Sequence, residues 1–364
     1  MSRVADPAPY MRWSKLHARA PHDLTGSNLF PVDLDELPGA REALRLSGPN
    51  DEGYAPLIEA IARRYGVSPE RVCTAPGTSG ANFLVLASLL GPGDDVLIER
   101  PAYDPIIGAA RLLGASVRRF GRRFEDAYQP DPDEIGTLLR PDTRLIVLSN
   151  LHNPSGVLIP TDTLAGIGLR AERVGARVLV DEVYLESVFE TRPPPAATLS
   201  DVFVSTNSLT KTWGLAGLRC GWVIAPPEVA ASIRRTRDVV DAVGSFPSDA
   251  IAAVAFDQIE RLLERSRGIL GANASCLRDV IEGSDRVEWV RPAGGPVGFP
   301  RLAGVEDTDP FVQWLLGERG VGVVPGRFFE EPAHFRVAVG GEPGGVAAAL
   351  GRLADGIRDW RPRG

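Results

Sequence analysis

The alternation of short, uninterrupted apolar runs with helical patterns constrains this chain more than any other feature. Residues 145–148 (LIVL), 177–180 (RVLV) and 202–205 (VFVS) are too short for helices and lack polar alternation. They read as strands buried on both faces. Residues 95–99 (DVLIE) and 116–120 add two further strands, and helical spacing fills 56–65, 105–113 and 161–174. Gly77-Thr78-Ser79-Gly80 reads as a loop opening a buried helix over 81–90, which stops at Gly91-Pro92-Gly93. Strands alternating with helices predict an α/β fold, with a mainly parallel mixed sheet flanked by helices.

After about residue 225 the character changes. Long helical patterns (227–240, 250–281, 309–319, 345–359) enclose only a few short strands. The expected organisation is an N-terminal arm at 1–45 contributing to a small domain, a large α/β domain at 46–245, and a small α+β domain at 246–364. A length of 364 residues agrees with about two domains.

Composition removes several function classes. A chain with 44% apolar and 24% charged residues is neither disordered nor fibrous. A net charge of −7 argues against general nucleic-acid binding. The apolar run over 81–90, interrupted by Asn82 and Ser88, is too short to span a bilayer. The first twenty residues carry no hydrophobic signal core, so a cytoplasmic protein without membrane attachment is expected. Cys73, Cys220 and Cys276 form no C-x-x-C pair, and the four histidines make no metal-ligand pattern. Neither disulfides nor a catalytic metal are expected.

One compositional bias is informative. The chain has 38 arginines and only two lysines, Lys15 and Lys211. Arginine stays protonated, whereas a lysine amine loses its proton readily and attacks carbonyl groups to form imines. A lysine surviving such a bias is a candidate for that work. Lys15 lies in a charged, loosely patterned arm with no acidic or tyrosine cluster around it, so Lys211 is preferred.

In open α/β sheets, ligands collect beyond the carboxyl ends of the strands. Here polar clusters follow the strands: Asn150 to Gly156 (NLHNPSG), Asp181-Glu182-Val183-Tyr184, and Ser205 to Lys211 (STNSLTK), with Gly214 to Arg219 (GLAGLR) beyond. The N-P-S-G, D-E-V-Y and S-x-T-K-x-x-G-L-x-G-L-R segments, in this order, resemble the fold-type-I pyridoxal-phosphate (PLP) enzymes of the class I/II, aspartate aminotransferase-like group. The likeness runs from about Gly53 to Arg336.

The resemblance implies a role for each matching residue. Lys211 would carry pyridoxal 5'-phosphate as a Schiff base and shuttle protons. Asp181 would pair with the pyridine nitrogen, keeping the ring an electron sink. Tyr184 and Asn153 would hydrogen-bond the ring's phenolic oxygen, and Tyr103 would stack on its face. Thr78 and Ser79 at a helix start, with Ser208 and Arg219, would bind the phosphate. Arg336 would take the substrate carboxylate through its guanidinium fork, with Asn153 and Gly26 also facing substrate. The implied activity is amino transfer between an α-amino acid and a 2-oxo acid. A lyase, a decarboxylase or an amino-acid oxidase on the same fold is the alternative. The resemblance also implies a homodimer.

Two departures stand out. Family members often carry a tyrosine about five residues before the glycine matching Gly53, reaching the neighbouring subunit's phosphate; residues 47–52 contain none. Ser47 or Asn50 is the available substitute. Arg327 follows Pro325-Gly326, where a small residue is common. It reads as a solvated loop charge, with a second cation near the site as the other option.

Overall fold

The computed structural model describes residues 7–17 and 20–362. Its centre is a seven-stranded sheet of β1 (Val72–Pro76), β2 (Asp95–Arg100), β3 (Ser116–Gly121), β4 (Thr143–Ser149), β5 (Arg177–Asp181), β6 (Phe203–Ser208) and β7 (Cys220–Ile224), in the order β1-β7-β6-β5-β4-β2-β3. Strands β6, β5, β4, β2 and β3 run parallel, whereas β7 is antiparallel to both neighbours. The sheet is thus mainly parallel and mixed, as expected.

The reversed direction of β7 matters for the site. Its amino end lies at the edge where the other six strands finish. The register pairs Pro76 with Cys220 and Ser208 with Gly221. Arg219 therefore emerges beside the ends of β1 and β6.

Residues 96–98, 145–148 and 178–180 are apolar and buried, whereas β6 carries buried Ser205, Thr206, Asn207 and Ser208; both faces of the sheet are covered. On one side Leu84, Val85 and Ile233 pack over Val96, Val147 and Leu179; another cluster joins Leu57, Ile61, Trp213, Trp222 and Leu262. Each buried Leu, Ile or Val side chain contributes about 1.5–3 kcal/mol by leaving water. A separate core in the last third gathers Phe311, Leu315, Phe335, Leu350 and Trp360. Leu24 joins that core, and His22–Asp23 pairs in parallel with Val321–Gly322.

Helices at Thr161–Val174, Pro227–Val240 and Asp309–Arg319 match their sequence patterns to the residue. Three readings are corrected. Gly77 to Gly80 are not a loop but the first turn of a helix, Gly77–Leu89. The pattern over 250–281 is two helices, Phe246–Asp257 and Ile259–Glu282, broken at Gln258. The arm contains a helix, α1 (Pro9–His17), which patterning missed; Gly77–Leu89 is α2 below. Tyr10 and Trp13 of α1 pack against Phe328, and Tyr10 also against Phe329, partners more than three hundred residues away in sequence.

Candidate active site

At the carboxyl edge of the sheet lies a cavity of about 620 Å3. Thr78, Ser79, Tyr103, Asn153, Asp181, Tyr184, Ser208, Lys211, Arg219 and Gly26, all singled out from sequence, line it. They arrive from the ends of β1, β2, β4, β5 and β6, from the start of β7, and from the N-terminal loop.

One end of the cavity is shaped for an anion. Helix α2 starts directly after β1, so its first N–H groups lack intrahelical acceptors and its dipole favours negative charge. Thr78 Oγ1 donates to Ser208 Oγ at 2.8 Å. Arg219 is in the left-handed region (φ 50°), and its guanidinium donates to the Pro76 carbonyl at 3.2 Å. Gly77 makes this approach possible. With φ 76°, a Cβ there would stand 2.4 Å from Arg219 Nη2. Gly221 serves the same end, since its Cβ would stand 2.5 Å from the Gly77 carbonyl carbon. This cradle of backbone donors, hydroxyls and one fixed guanidinium fits a phosphate group.

At the centre, Asp181 is buried at the end of β5. Asn82 Nδ2 of α2 donates to its Oδ2 at 2.7 Å, and the Val183 amide donates to Oδ1 at 3.1 Å. Asn82 is oriented in turn by Thr206 Oγ1, which donates to its Oδ1 at 2.6 Å. Burial pushes the Asp181 carboxyl up, and the Asn82 and Val183 bonds pull it back toward the ionised form. Such a carboxylate suits a protonated ring nitrogen.

Lys211 follows β6. Burial lowers its amine from the ordinary 10.5 to about 7; Arg336 and Arg219 push the same way, and Asp181 opposes them. Its Nζ donates to Ser27 Oγ at 2.9 Å and to Asn28 Oδ1 at 2.8 Å. An amine that is substantially neutral near pH 7 is a competent nucleophile and base. Burial holds the Tyr184 phenol up at about 12. Tyr103, also raised by burial, donates its hydroxyl to Met11 Sδ at 3.0 Å.

Arg336 is fully buried rather than on the open wall. Its Nη1 donates to Asn153 Oδ1 at 3.1 Å, and Nη2 to the Thr25 carbonyl at 3.0 Å and to the Tyr10 hydroxyl. The Tyr10 ring lies 4.9 Å from the guanidinium carbon. Asn153 is itself anchored, its amide donating to Ser149 Oγ, which donates to Glu99, and Glu99 is paired with buried Arg122.

Several of these residues escaped sequence reasoning. Asn82 had a visible signal, a polar residue inside an apolar run. Tyr10, Ser14 and Lys15 come from α1 and line the same cavity. The arm around Lys15 is therefore not remote from the site, and tyrosines Tyr10 and Tyr103 share the lining with it. Of the suggested substitutes for the missing tyrosine, Asn50 is engaged within its own chain, donating to the Gly244 carbonyl at 3.0 Å and to Asp249 at 3.2 Å. Arg327 pairs with Asp309 and stacks on Phe328, outside the cavity lining.

A family model described as aminotransferase class I and II matches residues 29–353. Among curated relatives, the capreomycidine synthase of Streptomyces vinaceus is 33% identical over 332 residues, covering 87% of this chain and 82% of that protein. Among solved structures, a PLP-dependent aminotransferase from Streptococcus suis superposes with a TM-score of 0.91 at 30% identity, covering 98% of each chain. The PLP-dependent cyclase OrfR superposes with a TM-score of 0.88 at 26% identity, covering 99% of each chain.

Proposed function

The chain belongs to the class I and II aminotransferases, and from that premise we propose that its cavity holds pyridoxal 5'-phosphate and transfers an amino group between an α-amino acid and a 2-oxo acid. When bound, the cofactor supplies a carbonyl that takes up the amino group and a conjugated ring that draws electrons from the substrate's α-carbon. The protein's part is to bind, orient and move protons. Thr78, Ser79, Ser208 and Arg219 hold the phosphate at the α2 terminus. Asp181, oriented by Asn82, keeps the ring nitrogen protonated. Tyr184 and Asn153 would donate to the ring's phenolic oxygen, and Tyr103 would cover the ring face. Asn153 and Gly26 would face the substrate carboxylate, with Arg336 behind Asn153 reaching it by exchanging its bonds to Asn153, Thr25 and Tyr10. Lys211 tethers the cofactor and, once released, moves the α-carbon proton.

The observation that carries this reading is the near-neutral Lys211 amine sharing one cavity with the Asn82-oriented Asp181. Mixing the holoenzyme with candidate amino acids tests it: transamination leaves stoichiometric pyridoxamine phosphate. A second reading is a PLP-dependent ring closure or elimination, favoured by the synthase and the cyclase among the similar proteins. Ammonia release or a cyclic product without pyridoxamine phosphate decides for it.

The active form we propose is a homodimer. Leu46 and Val239 are 89% and 88% exposed, and Leu44, Val240 and Val243 also face solvent, on two segments joined through the Asn50–Gly244 bond. Sedimentation equilibrium measures the state. We place the protein in the cytoplasm, a reading supported by three unpaired cysteines; no helix among the described residues is long and apolar enough to cross a membrane. We read 46–245 as the large and 246–364 as the small domain, with residues 1–45 as an arm; separate cores around Val147 and Phe335 support two units, while Ile251, Phe256 and Leu262 pack with Leu57 and Trp222 on the large-domain side.

A further inference from the structure

Ser27 and Asn28 sit in a loop whose likeness to any motif is weak, yet they are the groups that hold the Lys211 amine. A neutral primary amine has two N–H bonds and one lone pair. Ser27 Oγ and Asn28 Oδ1 accept from Nζ at 2.9 and 2.8 Å, which accounts for both N–H bonds. Neither acceptor is a carboxylate, so they orient the amine and favour its protonated form less than an ion pair would. The groups facing the amine are Asp181 at the end of β5, Arg219 before β7, Arg336 of Phe335–Ala338 and the Tyr184 phenol, which lies beside Ser27.

The loop is built to keep this geometry. The Leu29 amide donates to the Lys211 carbonyl at 3.3 Å, the Val32 amide to the Gly214 carbonyl at 3.1 Å, and the Phe30 amide to the Gly340 carbonyl. The loop packs directly on Gly340, where a Cβ would stand 2.1 Å from the Asn28 carbonyl oxygen. Ser27 and Asn28 are thus tied to the same turn that carries the lysine.

We propose that Ser27 and Asn28 are positioning residues for Lys211, occupying its two N–H bonds when the amine is free so that its lone pair faces the reacting carbon. The inference rests on Lys211 being the amine that moves the proton. In that step the lone pair takes the proton from the substrate's α-carbon, the C–H electron pair stays on the substrate side, and the same proton is later given up. Ser27 and Asn28 gain and lose none.

The scarcity of lysine makes the test clean. Competitive acetylation of the cofactor-free full-length chain across a pH series, read by mass spectrometry, reports the titration midpoint of Lys211 with Lys15 as internal standard. Hydrogen-bond acceptors favour the protonated amine, so Ser27→Ala and Asn28→Ala each lower the midpoint by about half a pH unit or more. Ser27→Thr restores it, and Asn28→Asp raises it. In the holoenzyme, the deuterium isotope effect on kcat with α-deuterated amino donor rises in both alanine variants, while KM stays within about threefold. An unmoved midpoint or an unmoved isotope effect in both alanine variants overturns the proposal. Failure of the transaminase reading is seen separately, as wild-type enzyme that forms no pyridoxamine phosphate while the acetylation shifts persist.

Discussion

Asn82 donates its side-chain amide to Asp181 across 2.7 Å, joining the first turns of α2 to the end of β5. The pair is buried, and Thr206 fixes which face of the Asn82 amide is presented. Asn82→Ala removes a bond that holds the Asp181 carboxyl ionised against the cost of burial. We expect kcat to fall about tenfold to a hundredfold, the range for losing a hydrogen bond to a charged group. KM for the amino donor changes far less. Steady-state kinetics on the variant checks the split.

Lys211→Ala is expected to lose turnover entirely while still binding the phosphate ester through Arg219 and α2. Borohydride reduction of the wild-type holoenzyme should fix the cofactor on the peptide containing Lys211, and the variant should retain none. Label on Lys15 instead would reverse the assignment. Peptide mass spectrometry reads the outcome directly.

Gly221→Ala would push a methyl group to within 2.5–2.7 Å of the Gly77 backbone, which has no flexible end to yield. Overpacking of this kind costs about 1–3 kcal/mol. Since Gly77 opens the anion cradle, cofactor affinity should drop together with stability. Denaturant unfolding and equilibrium dialysis measure the two losses. An alanine variant as stable and as tightly loaded as wild type contradicts the geometry.

Glu182 adds a pH dependence to stability. Burial raises its carboxyl from the usual 4.5 to about 8, with the Ala196 amide donating to it at 2.7 Å. Between those values the folded chain holds a proton that the unfolded chain releases. Stability from this group is therefore fullest below 4.5 and is lost as pH rises toward 8. Glu182→Gln keeps an acceptor and removes the titration. The fall in Tm from pH 5 to pH 8 should be smaller in the variant by several degrees.

Much of this site was legible in the sequence because its residues sit at strand ends, where local patterning is strong. Asp181, Ser208 and Lys211 each follow an apolar run, and the topology rule for open sheets brings them to one edge. Thr161–Val174 and Pro227–Val240 matched because one face of each is apolar at helical spacing. Helix α1 did not show, because nine residues are too short a stretch to display a helical period and its packing partners, Phe328 and Phe329, lie far away in sequence. Strand β1 was missed because a single short stretch, Val72–Pro76, carries no cue that it pairs with residues 220–224. Ser27 and Asn28 are ordinary turn residues until the lysine is placed beside them. Asn82 broke its local pattern, as Ser88 also did, and its meaning needed Asp181, ninety-nine residues away.

The bond between Tyr10 and Arg336 spans 326 positions. A ribosome makes the tyrosine long before the arginine, so α1 has no finished seat while the chain between them is being synthesised. Emerging chains can build the central sheet and its lysine early, but the substrate-side wall closes only after the strand Phe335–Ala338 has left the exit tunnel. Any message truncated before that strand yields a chain with the central sheet and Lys211 but without the guanidinium that Tyr10, Thr25 and Asn153 are built around.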